Sequence, residues 1–300
     1  NISCKMKSFD KKFLTVGIPT FNSSKYLINS IKSVINLETV NEIIISDDCS
    51  NPTELKNIEQ IISQFNKKKS IEINFIKNKE NLGAFSNKYN LIQSSSNKYI
   101  YVLDSDNIAA KNLDIVANKI LNSKDSERYL FQPNTMYQFW NNPKTAKFLS
   151  QFDNKYKVRF FDEDSNLDLK YVQESLIANP GSYDLKQFSN YKDSLTTHLK
   201  KDHLIDKWVF WILNCGNFIV STKKMKEIAK QGFEINRELR SVDAIVFSYL
   251  WLKAGNEIKI FKDFYHHHRK RNDSVSFMEK EASSRAIRYF INEVLIQENN

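Results

Sequence analysis

The chain alternates short apolar runs with longer segments whose apolar residues recur at helical spacing. Residues 13–19 read as a buried strand, and 24–36 follow with the three-to-four-residue period of a helix. The unit then repeats: strand 42–46 with helix 53–65, strand 71–76 with helix 84–93, and a fourth strand over 99–103. Such alternation builds a mainly parallel sheet covered by helices on both faces, the α/β class. In such sheets ligands gather outside the carboxyl ends of the strands.

Beyond residue 111 the pattern loosens. Residues 112–121 look helical and 128–132 extended, whereas 134–205 is irregular, rich in aromatic and charged residues, with helical candidates at 167–177 and 185–199. Regularity returns with strand 217–220, helices 222–231 and 242–253, and strand 257–261. The stretch 279–297 is expected to be an amphipathic helix with Ala286, Ile287, Phe290, Ile291, Val294 and Leu295 on or near one face. That face suits core packing or a homodimer contact better than a membrane. Three parts result: 1–110, a regular strand-helix part; 111–275, a less regular part of the same domain; and 276–300, a C-terminal helical extension.

With 300 residues and 41% hydrophobic content the chain can bury a substantial core. It has no apolar run of the roughly 18–20 residues that span a bilayer, and Asn1 to Lys5 hold no apolar signal core. Cys4, Cys49 and Cys215 are odd in number and lack metal-ligand spacing, so a cytoplasmic, reducing setting is expected. A formal charge of +9 favours anionic partners: nucleotides, acidic glycans, or the phospholipid head groups of a membrane surface at which the protein could sit peripherally. No nucleic-acid-binding motif accompanies it, so nucleic acid is not an expected partner.

The densest chemistry follows the fourth strand, where Lys98 to Asn107 read Lys-Tyr-Ile-Tyr-Val-Leu-Asp-Ser-Asp-Asn. Side chains alternate along an extended chain, so Asp104 and Asp106 point the same way with Ser105 between them. A pair of hard oxygen ligands suits Mg2+ or Mn2+, ions that hold one or two protein carboxylates and complete their shell with water and phosphate. That combination predicts a site for a metal-bound diphosphate.

Three further motifs precede it in order: Gly17-Ile18-Pro19-Thr20-Phe21-Asn22, Ser46-Asp47-Asp48-Cys49-Ser50 and Asn81-Leu82-Gly83. Together with Asp104-Ser105-Asp106 they resemble the nucleotide-sugar domain of family-2 glycosyltransferases, which have the GT-A fold. The resemblance is close over about 13–110. It continues more weakly through Asn214-Cys215-Gly216-Asn217-Phe218, Ser241-Val242-Asp243 and Phe264-Tyr265-His266-His267-His268-Arg269. It implies that 1–110 binds the nucleotide sugar and that 111–275 is the acceptor-side and catalytic part.

By that resemblance Pro19, Thr20, Phe21, Asn22, Asp47 and Asp48 hold the nucleoside, a role that suits a carboxylate able to accept from uracil or ribose. Gly83 lets the backbone approach the diphosphate, and Lys88, standing where the family usually has Arg, is a phosphate or sugar contact. Asp104, with Ser105, lies toward the ribose or sugar, and Asp106 is the direct metal ligand. Gly216 gives sugar or acceptor a close approach. His268 is the second metal ligand, with His266 and His267 as alternatives on a one-residue slip, and Arg269 and Arg271 favour the departing phosphates. The inverting mechanism needs a general base; Asp243 is the candidate, with Glu238 and Glu234 in reserve. Trp208 and Trp211 are candidate sugar platforms, at least one of which belongs in the core.

The expected activity is metal-dependent transfer of a sugar from a nucleoside diphosphate, UDP favoured, to a hydroxyl of a glycan, lipid-linked or protein-linked acceptor in glycan or polysaccharide synthesis. Two other readings are a sugar nucleotidyltransferase, disfavoured because Pro-Thr-Phe-Asn stands where a Gly-rich basic phosphate loop is needed, and a non-catalytic basic nucleic-acid- or glycan-binding module.

Overall fold

The computed structural model describes residues 13–67, 71–140, 157–178, 203–204, 209–233, 242–270 and 280–297. The first half alternates as the sequence suggests: β1 (Leu14–Thr20), α1 (Ser24–Val34), β2 (Val40–Asp47), α2 (Pro52–Asn66), β3 (Ile73–Lys77), α3 (Ala84–Ser94) and β4 (Tyr99–Val102). A two-residue strand β5 (Ile108–Ala109), helix α4 (Leu113–Asn122) and the long strand β6 (Tyr129–Trp140) follow. Then come β7 (Lys157–Arg159), β8 (Ser165–Leu167), α5 (Leu169–Ala178), β9 (His203–Leu204), α6 (Val209–Leu213), β10 (Phe218–Ser221) and α7 (Thr222–Ile228). The chain closes with α8 (Asp243–Lys253), β11 (Glu257–Lys270) and α9 (Lys280–Tyr289), which runs on as a π-helical stretch over Phe290–Leu295.

Local chemistry explains the clearest boundaries. Asn51 caps α2, its Oδ1 accepting from Thr53 N at 3.1 Å and Glu54 N at 3.0 Å, and Pro52 occupies the first turn, where a missing N–H costs nothing. β1 and β4 are apolar almost throughout because both lie inside the sheet with both faces covered. α8 is buried along its whole length from Ala244 to Leu252, which is why its sequence lacks a polar face.

The strands join in the order β3-β2-β1-β4-β10-β6-β11-β5. From β3 to β4 every pairing is parallel; β10 is antiparallel to both β4 and β6, so the sheet as a whole is mixed. Strands from both the 1–110 and the 111–275 parts thus share one sheet. The chain steps from β1 out to β2 and β3, then returns to place β4 on the other side of β1. A crevice opens at such a reversal, outside the carboxyl ends of β1 and β4. Two apolar clusters fill the two faces, one around Leu27, Ile31, Tyr99 and Tyr101, the other around Phe85, Phe218, Phe247 and Trp251. Among the described residues no helix is long and apolar enough to cross a membrane.

Two elements are longer than their sequence pattern suggests. The extended segments expected at 128–132 and 257–261 grow into β6 and β11, which pair in parallel over most of their lengths across an irregularity between Phe261 and Tyr265. The polar His266-His267-His268-Arg269 run carries no strand signal of its own. It is extended because β5 and β6 supply hydrogen-bonding partners on its two sides. The helical candidate at 185–199 lies outside the described residues.

Candidate active site

At the end of β1 the backbone turns through Asn22, which has a positive φ of 47°. Its N–H donates to Ser50 Oγ at 2.8 Å, and its side-chain oxygen accepts from Asn51 N and Asn51 Nδ2, both at 3.0 Å. The loops after β1 and β2 are therefore knit together. Asp47, buried, accepts from the Ser50 N–H at 2.9 Å and from the Ser50 hydroxyl, an Asx-type turn. Asp48, also buried, reaches the other way: one oxygen accepts from Asn78 Nδ2 at 3.0 Å and Leu82 N at 2.9 Å, the other from Gly83 N at 2.9 Å. Both acids thus organise the loops that follow β1, β2 and β3. Phe21 and Leu82 stay exposed at 39% and 40%, apolar groups on the two loops that Asp48 and its neighbours tie down. Gly83 has a φ of +85°, and a Cβ there would meet nothing within 4 Å, so the glycine serves backbone conformation and not close packing.

At the end of β4 the Asp104-Ser105-Asp106 turn is held from several sides. Ser105 is buried, and its hydroxyl continues a chain of 2.8 Å contacts from Thr20 Oγ1 through Ser23 Oγ. Ser30 Oγ lies 2.7 Å from the Ser105 carbonyl and 2.6 Å from the Asn107 carbonyl. Asp104 N donates to Asn217 Oδ1 at 2.8 Å, fastening β4 to the start of β10. Sequence reasoning gave no role to Ser23, Ser30, Asn107 and Asn217, because their partners are backbone and side-chain groups far away in sequence; Asn107 and Asn217 lie inside motifs but are assigned nothing there.

Lys88 reaches from α3 to the centre of the site. Its ammonium lies 2.9 Å from Asp104 Oδ1 and 2.8 Å from Asp243 Oδ2, with side-chain exposures of 6% for the lysine, 30% for Asp104 and 15% for Asp243. Burial alone would lower its pKa, but Coulomb attraction from Asp104 and then Asp243 outweighs that and raises it, so the ammonium stays charged. Gly216 closes the other side: a Cβ there would come within 2.4 Å of Asp104 Oδ2 and 2.9 Å of Lys88 Nζ. The close approach expected of Gly216 is therefore made to these two side chains. Cys215 sits beside them, its thiol pushed up to about 12, mainly by burial.

The histidines separate by face. His266 is 2% exposed, and among the described residues neither ring nitrogen has a hydrogen-bond partner; burial first, then His268 and His267, hold its pKa well below the usual range. His267 packs against the Tyr137 and Tyr265 rings at 5.4 and 5.6 Å. Antiparallel pairing of His266 with Ala109 and His267 with Ile108 carries His268 to the level of the Asp106–Asn107 turn. Arg269 locks that register: its N–H donates to Asn107 Oδ1 at 3.0 Å, its Nε to the Asp106 carbonyl at 2.9 Å, and its guanidinium lies 4.7 Å over the Tyr26 ring. The arginine expected on a phosphate is thus engaged in holding the Asp106 turn.

Asp106 and His268 are both partly exposed, and a carboxylate with an imidazole is a donor set that suits Mn2+ better than Mg2+, which prefers oxygen throughout its shell. Among the described residues no group of three or more His, Cys, Asp or Glu side chains gathers as for an all-protein metal site. The residues fit an ion that draws the rest of its shell from a diphosphate and water. Arg271, Glu234, Glu238 and Trp208 lie outside the described residues; Trp211 is half-buried against Phe210. A surface hollow of about 460 Å3 lined by Glu59, Ile62, Ser63, Asn66, Lys67 and Phe75 lies beside β3, away from all these groups.

The model of the family described as Glycosyl transferase family 2 matches residues 15–169. An uncharacterized glycosyltransferase of Methanocaldococcus jannaschii is 29% identical over 193 residues, covering 63% of this chain and 54% of the relative, so the chain spans about half the length of the curated relative it matches. Crystal structures of Staphylococcus aureus TarS 1-349 share the fold. The complex with UDP-GlcNAc has a TM-score of 0.51 at 14% identity, covering 87% of this chain and 60% of that one. The complex with UDP has a TM-score of 0.52 at 14% identity, covering 93% and 72%.

Proposed function

Given that the chain belongs to glycosyltransferase family 2, we propose that it transfers a sugar from a nucleoside diphosphate, UDP favoured, to an acceptor hydroxyl of a glycan, lipid-linked or protein-linked molecule, with inversion at the anomeric carbon. The observation that carries this reading is the meeting of Asp104, at the end of β4, with Asp243, at the start of α8, around one ammonium. A carboxylate on the donor strand and a second one brought from far along the chain are what a single displacement needs: one to hold the donor, one to take a proton.

In this reading the loops after β1 and β2 hold the nucleoside, with Phe21 and Leu82 as apolar walls. Asp104 accepts from hydroxyls of the ribose or sugar. Asp243 accepts the acceptor's proton as that oxygen bonds to the anomeric carbon and the nucleoside diphosphate departs. Asp106 and His268 would hold a divalent cation, which when bound supplies Lewis-acid neutralisation of the leaving diphosphate. The UDP-GlcNAc and UDP bound in the two TarS complexes support a uridine nucleotide as donor.

A panel of UDP-, GDP- and TDP-sugars incubated with Mn2+, with and without candidate acceptors, tests the proposal through nucleoside diphosphate release. Acceptor-dependent release from one donor is expected. Pyrophosphate release, or no release from any donor, would overturn it. Asp243→Asn should keep nucleotide binding and lose transfer; full turnover in that variant removes the base assignment.

A further inference from the structure

We infer that Lys88 is a positioning residue, clamping the donor-side carboxylate Asp104 and the base Asp243 into one charged triad, and not a ligand for the donor's phosphates. The inference rests on the functional reading above for the roles of the two acids and on geometry for the clamp. Two of the three N–H donors of the ammonium are aimed at Asp104 and Asp243, at 2.9 and 2.8 Å. The side chain is nearly out of solvent, and it approaches from α3, whereas the acids belong to β4 and α8.

The clamp solves a physical problem. Two carboxylates facing each other across a few ångströms repel, and the repulsion would push Asp243 away from where a base must stand. A single compact ammonium removes the repulsion and sets the spacing of the two acids at what one cation can span. Gly216 fixes the size of that cation: its Cα stands where a Cβ would come within 2.9 Å of Nζ and 2.4 Å of Asp104 Oδ2. Lysine's point charge fits this gap, and the broad fork of an arginine does not. A phosphate ligand would show the opposite preference, since a guanidinium binds phosphate in two places at once.

Lys88→Met and Lys88→Arg, compared in turnover and in the binding of pyrophosphate with Mg2+, separate the two roles. The clamp predicts that each lowers kcat about a hundredfold, as expected for misplaced reacting groups, while the Kd for pyrophosphate, which has no ribose to meet Asp104, stays within about twofold. It also predicts that Lys88→Met adds nothing further in an Asp243→Asn background, because the two residues act as one unit. A tenfold or larger rise in the pyrophosphate Kd in Lys88→Met, or wild-type kcat in Lys88→Arg, overturns it.

An NMR measurement on the unmodified chain covers the case in which a variant does not fold or no donor is turned over. The 15N-edited signal of the Lys88 ammonium should be protected from exchange, move in Asp243→Asn, and stay in place when pyrophosphate and diamagnetic Mg2+ are added. Movement on adding pyrophosphate, or none in Asp243→Asn, overturns the clamp. Failure of transfer from every donor, with the ammonium signal behaving as stated, overturns only the catalytic reading.

Discussion

Arg269 donates from Nε to the backbone carbonyl of Asp106 at 2.9 Å, so a residue late in the chain sets the attitude of the turn that carries the candidate metal ligand. Its guanidinium is held over Tyr26 at 4.7 Å, and its own N–H bonds Asn107. Outer groups that orient a ligand typically change metal affinity about 10–100-fold when removed. Arg269→Ala is therefore expected to raise the Mn2+ concentration needed for half-maximal UDP binding by that factor, measured by titration calorimetry. An unchanged Mn2+ requirement would dissociate Arg269 from the metal turn.

Gly216→Ala tests the closest contact in the site. The new methyl group falls 2.4 Å from Asp104 Oδ2, so either the carboxylate or the segment before β10 has to move. Overpacking of this kind costs about 1–3 kcal/mol. We expect a lower melting temperature together with a loss of transfer of at least about tenfold, measured by scanning calorimetry and nucleotide release; retention of both would show that the segment yields freely.

Asp48 makes a separate prediction for the loop before α3. Replacing it with Ala removes the carboxylate that accepts from the N–H groups of Leu82 and Gly83, and a hydrogen bond to a charged group contributes about 1.5–3 kcal/mol. Chemical denaturation should show that loss, with UDP affinity falling because the loop before α3 is released. Asp48→Asn, which keeps one acceptor oxygen, should recover part of both.

The thiol of Cys215 gives a pH-dependent test. Its pKa is pushed up to about 12 from an ordinary 9.0, so the unfolded chain loses this proton first. The stability it confers is complete below the unfolded value and declines as pH rises toward the folded one. Cys215→Ala should flatten the fall in unfolding free energy above pH 9.0. At about pH 8, alkylation of Cys215 should run at least about a hundredfold slower than that of the exposed Cys49, read by peptide mass spectrometry.

Much of residues 13–110 was legible because the signals there are local. Strand and helix periods in residues 13–110 are properties of neighbouring residues, and acids that follow apolar strands fall at the ligand edge of a parallel sheet. The prediction that Asp104, Asp106, Asp47 and Asp48 would cluster at strand ends needed nothing more. The polar His266–Arg269 run gave no such signal, because its strand character comes from β5 and β6 beside it.

By itself, then, the sequence determined the α/β alternation, the strand that presents Asp104 and Asp106, and, through the family resemblance alone, the candidacy of Asp243. Tertiary structure decided what each group touches. Lys88 is an ordinary helical lysine until α8 brings Asp243 to within 2.8 Å, and Arg269 is one basic residue among several until β11 pairs with β5 and delivers it to Asp106. The physical reason is range. Secondary structure follows from bonds within a few residues, whereas hydrogen bonds and ion pairs act over about 3 Å between atoms that only the packed sheet brings together.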